Sequence, residues 1–189
     1  MFMRILIVIL FVFFSSSVFS ENISDLDIEG MSIEDSLLKF YSKSEIRNAP
    51  NYNDLPSDMK FTIIEMPQKG EYEFFQFFFK TNDSNFKIAY IAGANLISID
   101  ECVEEQKDII NDISQSLSNV NFSGPKKLVH PDDPSGDSYS IQYISTLDGG
   151  SMLIECYSYS NQVHWQDHLR ISIVNNEAAK WTDSNYGVN

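Results

Sequence analysis

The chain has 189 residues, a formal net charge of −14 and a sequence pI near 4.4. A field of that sign repels phosphate backbones and anionic membrane surfaces, so nucleic acid is set aside as a partner. A hydrophobic content of 43% suits one domain with its own core, and two cysteines permit one internal disulfide.

The first segment, MFMRILIVILFVFFSSSVFS (residues 1–20), reads as a signal peptide. Arg4 supplies the positive flank, Ile5–Phe14 the apolar run, and Val18-Phe19-Ser20 the cleavage site, which makes Glu21 the expected mature start. The apolar run is far short of the roughly 20 residues of a spanning helix. The expectation is therefore an exported chain, periplasmic or extracellular, with no stable membrane span after cleavage, and a single α+β domain over 21–189.

SIEDSLLKFY (residues 32–41) predicts a helix: Ser32 and Asp35 approximate a capping box, and Ile33, Leu37, Leu38 and Tyr41 form the apolar stripe. Ser44-Glu45-Ile46 starts a second short helical turn, and residues 48–57 are a proline-bearing loop. Strands are expected at Lys60–Met66, Glu71–Lys80 and Phe86–Ala94, joined by turns short enough for antiparallel neighbours. Residues 98–117 carry the clearest helix signal, with Ser98 and Glu101 as a capping box. Ile99, Cys102, Val103, Gln106, Ile110, Ile113 and Leu117 share one face of it. Residues 123–136 read as a long loop with three prolines. Three more strands follow, at Asp137–Thr146, Ser151–Tyr159 and about Val163–Val174, then a short closing helix at Asn175–Trp181. The expected architecture is an antiparallel sheet of about six strands in two helix-plus-three-strand units, with helices on one face.

Asp27–Leu38, together with the Ser98–Asp108 helix and the Asp167–Ile173 strand, resembles uncharacterised exported proteins of marine alphaproteobacteria. At greater distance, Gly30-Met31-Ser32 before a helix and three strands is similar to two groups of small periplasmic or secreted folds, the outer-membrane assembly lipoproteins and the tandem-repeat β-lactamase inhibitor proteins. The resemblance implies that α-β-β-β fold and a non-enzymatic role. The chain departs from the first group by having Glu21 where the lipid-bearing cysteine would stand, and no inhibitory residue of the second group can be matched.

The stretch MLIECYSYSNQVHWQDHLRI (residues 152–171) collects a cysteine and two histidines, the materials of a thiol enzyme. Strand parity argues otherwise, because it sets Cys156 on the face of Met152 and Ile154. With Cys102 on the helix stripe, a helix packed on that face brings the two sulfurs together, and the expectation is a structural disulfide. His164 and His168 have the spacing of a helical zinc pair, but in a strand they stand about 13 Å apart. Asp132, Asp133 and Asp137 form an acidic loop that departs from calcium-loop spacing at Pro134. His130, in the same proline-rich loop, is expected to face solvent. No phosphate loop, nucleophile elbow or Cys-X-X-Cys motif occurs, so no cofactor is expected.

YEFFQFFFK (residues 72–80) is aromatic on both strand faces, more than a sheet covered on one side requires. Parity turns Tyr72, Phe74 and Phe78 away from the helices, along with Gln142, Leu153, Tyr157, Tyr159 and Arg170. The preferred functional reading is a non-enzymatic module that binds an envelope protein or small ligand through this face. The alternative is a metal-dependent hydrolase using Asp132, Asp133 and Asp137 or His164 and His168.

Overall fold

A computed structural model describes residues 22–50, 59–117 and 119–186. The leader at 1–20 and most of the loop at 48–57 lie outside them. A 3-10 turn at Ile23–Asp25 leads into a small hairpin, β1 (Asp27–Ile28) and β2 (Met31–Ser32). A second 3-10 turn (Leu37–Lys39) and α1 (Lys43–Asn48) precede the main sheet. Its strands are β3 (Phe61–Lys69), β4 (Tyr72–Lys80), β5 (Tyr90–Leu96), β6 (Ser123–Val129), β7 (Tyr139–Leu147), β8 (Gly150–Ser158) and β9 (His168–Asn175). The helix α2 (Ile99–Ser116) sits between β5 and β6, and α3 (Asn176–Tyr186) follows β9.

The order across the sheet is β3-β4-β5-β9-β8-β7-β6, antiparallel at every pairing. The chain enters at one edge, steps inward to β5, and crosses on α2 to the far edge. It then steps inward again until β9 closes against β5. Tight turns place successive strands side by side, while the central seam joins residues about 80 apart, such as Ile91 and Ile173.

One face carries the larger core. Ile64, Met66, Phe75, Phe77, Ile91, Ile154, Leu169, Ile171 and Ile173 are buried there beneath α2 and the N-terminal segment, which contributes Ile23, Ile28, Met31, Ile33, Leu37 and Ile46. On α2, Ser98 and Glu101 cap each other reciprocally, as the sequence predicts. Its stripe delivers Cys102 to Cys156 on β8: the two are disulfide-bonded, with Cα atoms 5.7 Å apart, and both are fully buried.

Four expectations change. The 32–41 segment is not an α-helix, because the N–H groups of Glu34 and Leu37 bond to the carbonyls of Ile88 and Phe86 in the β4–β5 connection. Those tertiary bonds also hold residues 86–89 out of β5, which starts at Tyr90. Residues 123–129, read as loop, form the edge strand β6, where the ring of Pro125 costs no internal ladder bond and Lys126 and Lys127 guard the open edge. Finally, α3 packs on the face opposite α2. There Ala178 and Trp181 cover Phe61, Ile63, Phe78, Tyr90 and Val174 in a second core. Helices therefore cover both faces of the sheet, and α3 covers only part of its own.

The disulfide spans 54 residues, a loop for which chain entropy gives about 4 kcal/mol. Replacing both cysteines by alanine is expected to lower unfolding stability by about that amount in urea titrations. A loss under about 1 kcal/mol would show that α2 is held by packing alone.

Candidate functional site

On β8, Met152, Ile154 and Cys156 point toward α2, so Leu153, Glu155 and Tyr157 point to the opposite face. Pairing sets Glu155 directly between Gln142 on β7 and Arg170 on β9. The same register puts Tyr157 beside Ser140 and His168. This row lies beyond the part of the face that α3 covers.

Arg170 donates from Nε to Glu155 Oε2 at 3.0 Å, and its Nη2 stands 2.9 Å from the same oxygen. Nη2 also donates to the Tyr157 hydroxyl, which in turn donates to Glu155 Oε1 at 3.0 Å. Gln142 Nε2 supplies another donor to Oε1 at 3.0 Å. The side chain of Glu155 is 5% exposed and that of Arg170 is 24% exposed. A carboxylate so far from water is tolerated because four donor contacts, two of them from a guanidinium, replace its hydration. Burial is the largest single influence on Arg170 and opposes its charge, but Glu155 together with Tyr157 and Tyr90 outweighs it and raises the guanidinium pKa well above its ordinary value.

The rings extend this cluster. The guanidinium carbon of Arg170 lies 4.4 Å from the Tyr157 ring centre. Tyr157 stacks on His168 at 4.7 Å and on Tyr159 at 5.9 Å, each pair within 15° of parallel. Phe74 meets His168 edge-on at 6.1 Å. In the connections, Trp165 lies 5.4 Å from Tyr159 and 4.9 Å from His130, and is 49% exposed. Burial raises the Tyr157 hydroxyl well above its usual pKa and pushes Tyr159 up to about 12. Both phenols are therefore neutral hydrogen-bonding groups at neutral pH. Burial depresses His168 to about 4, which leaves its ring neutral, with Nδ1 positioned 2.9 Å from the Gln166 carbonyl.

Of the eight face residues read from the sequence, Phe74, Gln142, Tyr157, Tyr159 and Arg170 meet in this cluster. Tyr72 does not. Glu73 N–H bonds to the Asn95 side chain instead of continuing the ladder, and the Tyr72 ring turns over Gly93 in the α2-side core. Phe78 and Leu153 belong to the α3-covered core. His130 is half-buried among the rings instead of solvated. Trp165 and Glu155 were not singled out beforehand. An exposed loop tryptophan was visible in the sequence, but the role of Glu155 depends on the β8–β9 register.

Asp132, Asp137 and His164 are exposed, whereas Asp133 is 5% exposed and turned onto Ser135 and Ser138. The Ser138 hydroxyl, against the effect of desolvation and with help from Ser135 and Ser160, holds the Asp133 carboxyl well below the usual carboxylate range. Among the described residues no three His, Cys, Asp or Glu side chains gather at metal-ligand spacing, and no helix there is long and apolar enough to cross a membrane. No family model, curated protein or solved structure matches the chain.

Replacing Arg170 by methionine strands a buried carboxylate and is expected to cost about 3 kcal/mol in urea unfolding. Replacing Glu155 by methionine in the same chain should recover most of that loss. Acid gives an independent check. The unfolded His168 binds a proton near pH 6.5 that the folded ring refuses until about 4, so stability should decline as pH falls across that window. His168→Phe keeps a stacking ring and is expected to flatten the decline. Parallel pH profiles for the two chains would exclude His168 as its source.

Proposed function

We propose that the protein is an exported, non-catalytic binding module that captures a polypeptide partner on the half-face beyond α3. One observation carries this reading: a fixed cluster of Tyr157, Tyr159, His168 and Arg170, bordered by a half-exposed Trp165, stands on the part of the sheet face beyond the core that α3 covers. Tryptophan, tyrosine and arginine dominate the energetics of protein interfaces. They bind best when their rotamers are already fixed, since less side-chain entropy is then lost on association. The ion pair and stacked rings provide such fixation. The floor of the cluster is polar, with Gln142, Glu155 and Arg170, which favours a partner that brings hydrogen-bonding groups as well as apolar ones. A fully buried disulfide accords with an oxidising compartment, as does the leader read at 1–20.

The reading is tested by panning a random peptide display library on the whole folded protein. Selected peptides are expected to lose about tenfold or more in affinity on Trp165→Ala or Tyr159→Ala. The same peptides should bind Leu38→Ala and Val129→Ala unchanged, since these alter exposed apolar residues elsewhere. Peptides indifferent to Trp165 and Tyr159, or a library that yields no binder, would overturn it.

A further inference from the structure

The rings at the border of this polar floor come from two separate connections. His130 belongs to the segment between β6 and β7, and Trp165 to the segment between β8 and β9. Their rings nevertheless lie 4.9 Å apart, and both touch Tyr159. Surface connections of nine residues each do not keep such a relation without a fastening.

We infer that Asp133, acting through the hydroxyl of Ser138, latches these two connections together and holds His130 and Trp165 as one unit. The Asp133 carboxylate is a hub inside its own loop. Oδ1 accepts from Ser135 N at 2.9 Å and Ser135 Oγ at 2.7 Å. Oδ2 accepts from Ser138 N at 2.9 Å and Ser138 Oγ at 2.5 Å. Ser138 is fully buried. A serine hydroxyl has one hydrogen and two acceptor sites. Ser138 gives that hydrogen to Asp133, which orients its lone pairs outward, and Ser160 N–H donates into them at 2.9 Å. That bond crosses from one connection to the other, 22 residues away in sequence.

The far end is fastened as well. Tyr159 N–H donates to Asp167 Oδ1 at 2.7 Å, closing the β8–β9 connection on itself. His130 N–H donates to the Ser138 carbonyl at 2.9 Å, closing the other. Each connection is thus a closed unit, and the Asp133–Ser138–Ser160 relay is a polar bridge between the two. The carboxylate is required because all of its contacts are donors. An asparagine there has one acceptor oxygen and two N–H groups that would confront donors. The consequence for partner capture rests on the function proposed above, whereas the latch itself is independent of it.

The test uses the whole protein labelled with 5-fluorotryptophan, whose two fluorine signals report Trp165 and Trp181, assigned with Trp165→Phe. Trp181 lies in the α3 core and reports the fold, while Trp165 reports the border. In Asp133→Asn, and in Ser138→Ala, which removes the crossing acceptor together with the hydroxyl donor to Asp133, the Trp165 signal is expected to move toward its position in the unfolded chain. The Trp181 signal should remain in place, and exchange of the Ser160 amide should accelerate about tenfold or more. A Trp165 signal unchanged in both variants would overturn the latch. So would the two signals moving together in Ser138→Ala, which would make the contact a support of the whole fold. Because no partner is present, a failure of peptide capture is read separately from either result.

Discussion

The bond between Cys102 and Cys156 is the constraint on which the remaining structure depends. It ties the long helix α2 to the strand that carries chemistry on its other side, and both sulfurs are removed from solvent. The helix crosses from the sheet's centre to its far edge, a connection whose closure would otherwise cost chain entropy unaided. Gln106, one turn along, adds a polar contact of the same kind. Its amide donates to the carbonyls of Ile141 and Ile154 at 2.9 and 2.8 Å, fixing the helix against both β7 and β8. Packing then supplies the bulk of the energy, and the disulfide and amide supply the register.

A strand held rigidly on one face can present a demanding arrangement on the other. Cys156 lies between Glu155 and Tyr157 in sequence, so the residue that anchors β8 alternates with the two that build the polar floor. The floor needs this support because a buried carboxylate and guanidinium gain from each other only while their geometry is good. The Tyr157 hydroxyl completes it by accepting from the cation and donating to the anion. The rings of His168 and Tyr159 pack against it and exclude water from the pair. The result is a rigid polar surface bordered by aromatic groups, unlike the footprint of a missing apolar helix.

The two halves of this face differ for a reason traceable to composition. Toward the end of the face that holds the start of β3 and the end of β9, the outward residues are Phe61, Ile63, Phe78, Tyr90, Ala92, Leu153 and Val174, and α3 covers them. The lysines at 60 and 80 clasp Glu177 in the first turn of α3 at 2.9 and 2.8 Å, which guides the helix to that side. Toward the other end, on β7, β8 and β9, the outward residues are Ser140, Gln142, Glu155, Tyr157, His168 and Arg170. A helix as small as α3 has no second apolar stripe to offer them. Beyond α3 the floor is polar and packed by its own rings.

Elements governed by contacts close in sequence could be read directly. The capping box and apolar stripe fixed α2, turn residues marked the hairpins, and parity along β8 with the α2 stripe brought the two cysteines together. Phe74, Tyr157, Tyr159 and Arg170 were legible as one face for the same reason, since alternation is a property of the strand itself. Tertiary structure decided the rest. Residues 32–41 had every local mark of a helix and gave it up for bonds to Phe86 and Ile88, because those partners lie about 50 residues away. Tyr72 left its face where the next residue, Glu73, bonds through its N–H to the Asn95 side chain. The meeting of Glu155 with Arg170, of His130 with Trp165, and of Asp133 with the Ser160 connection through Ser138 each depends on strand order and register. Those are settled by which non-local pairings bury the most apolar surface, and no local propensity encodes them.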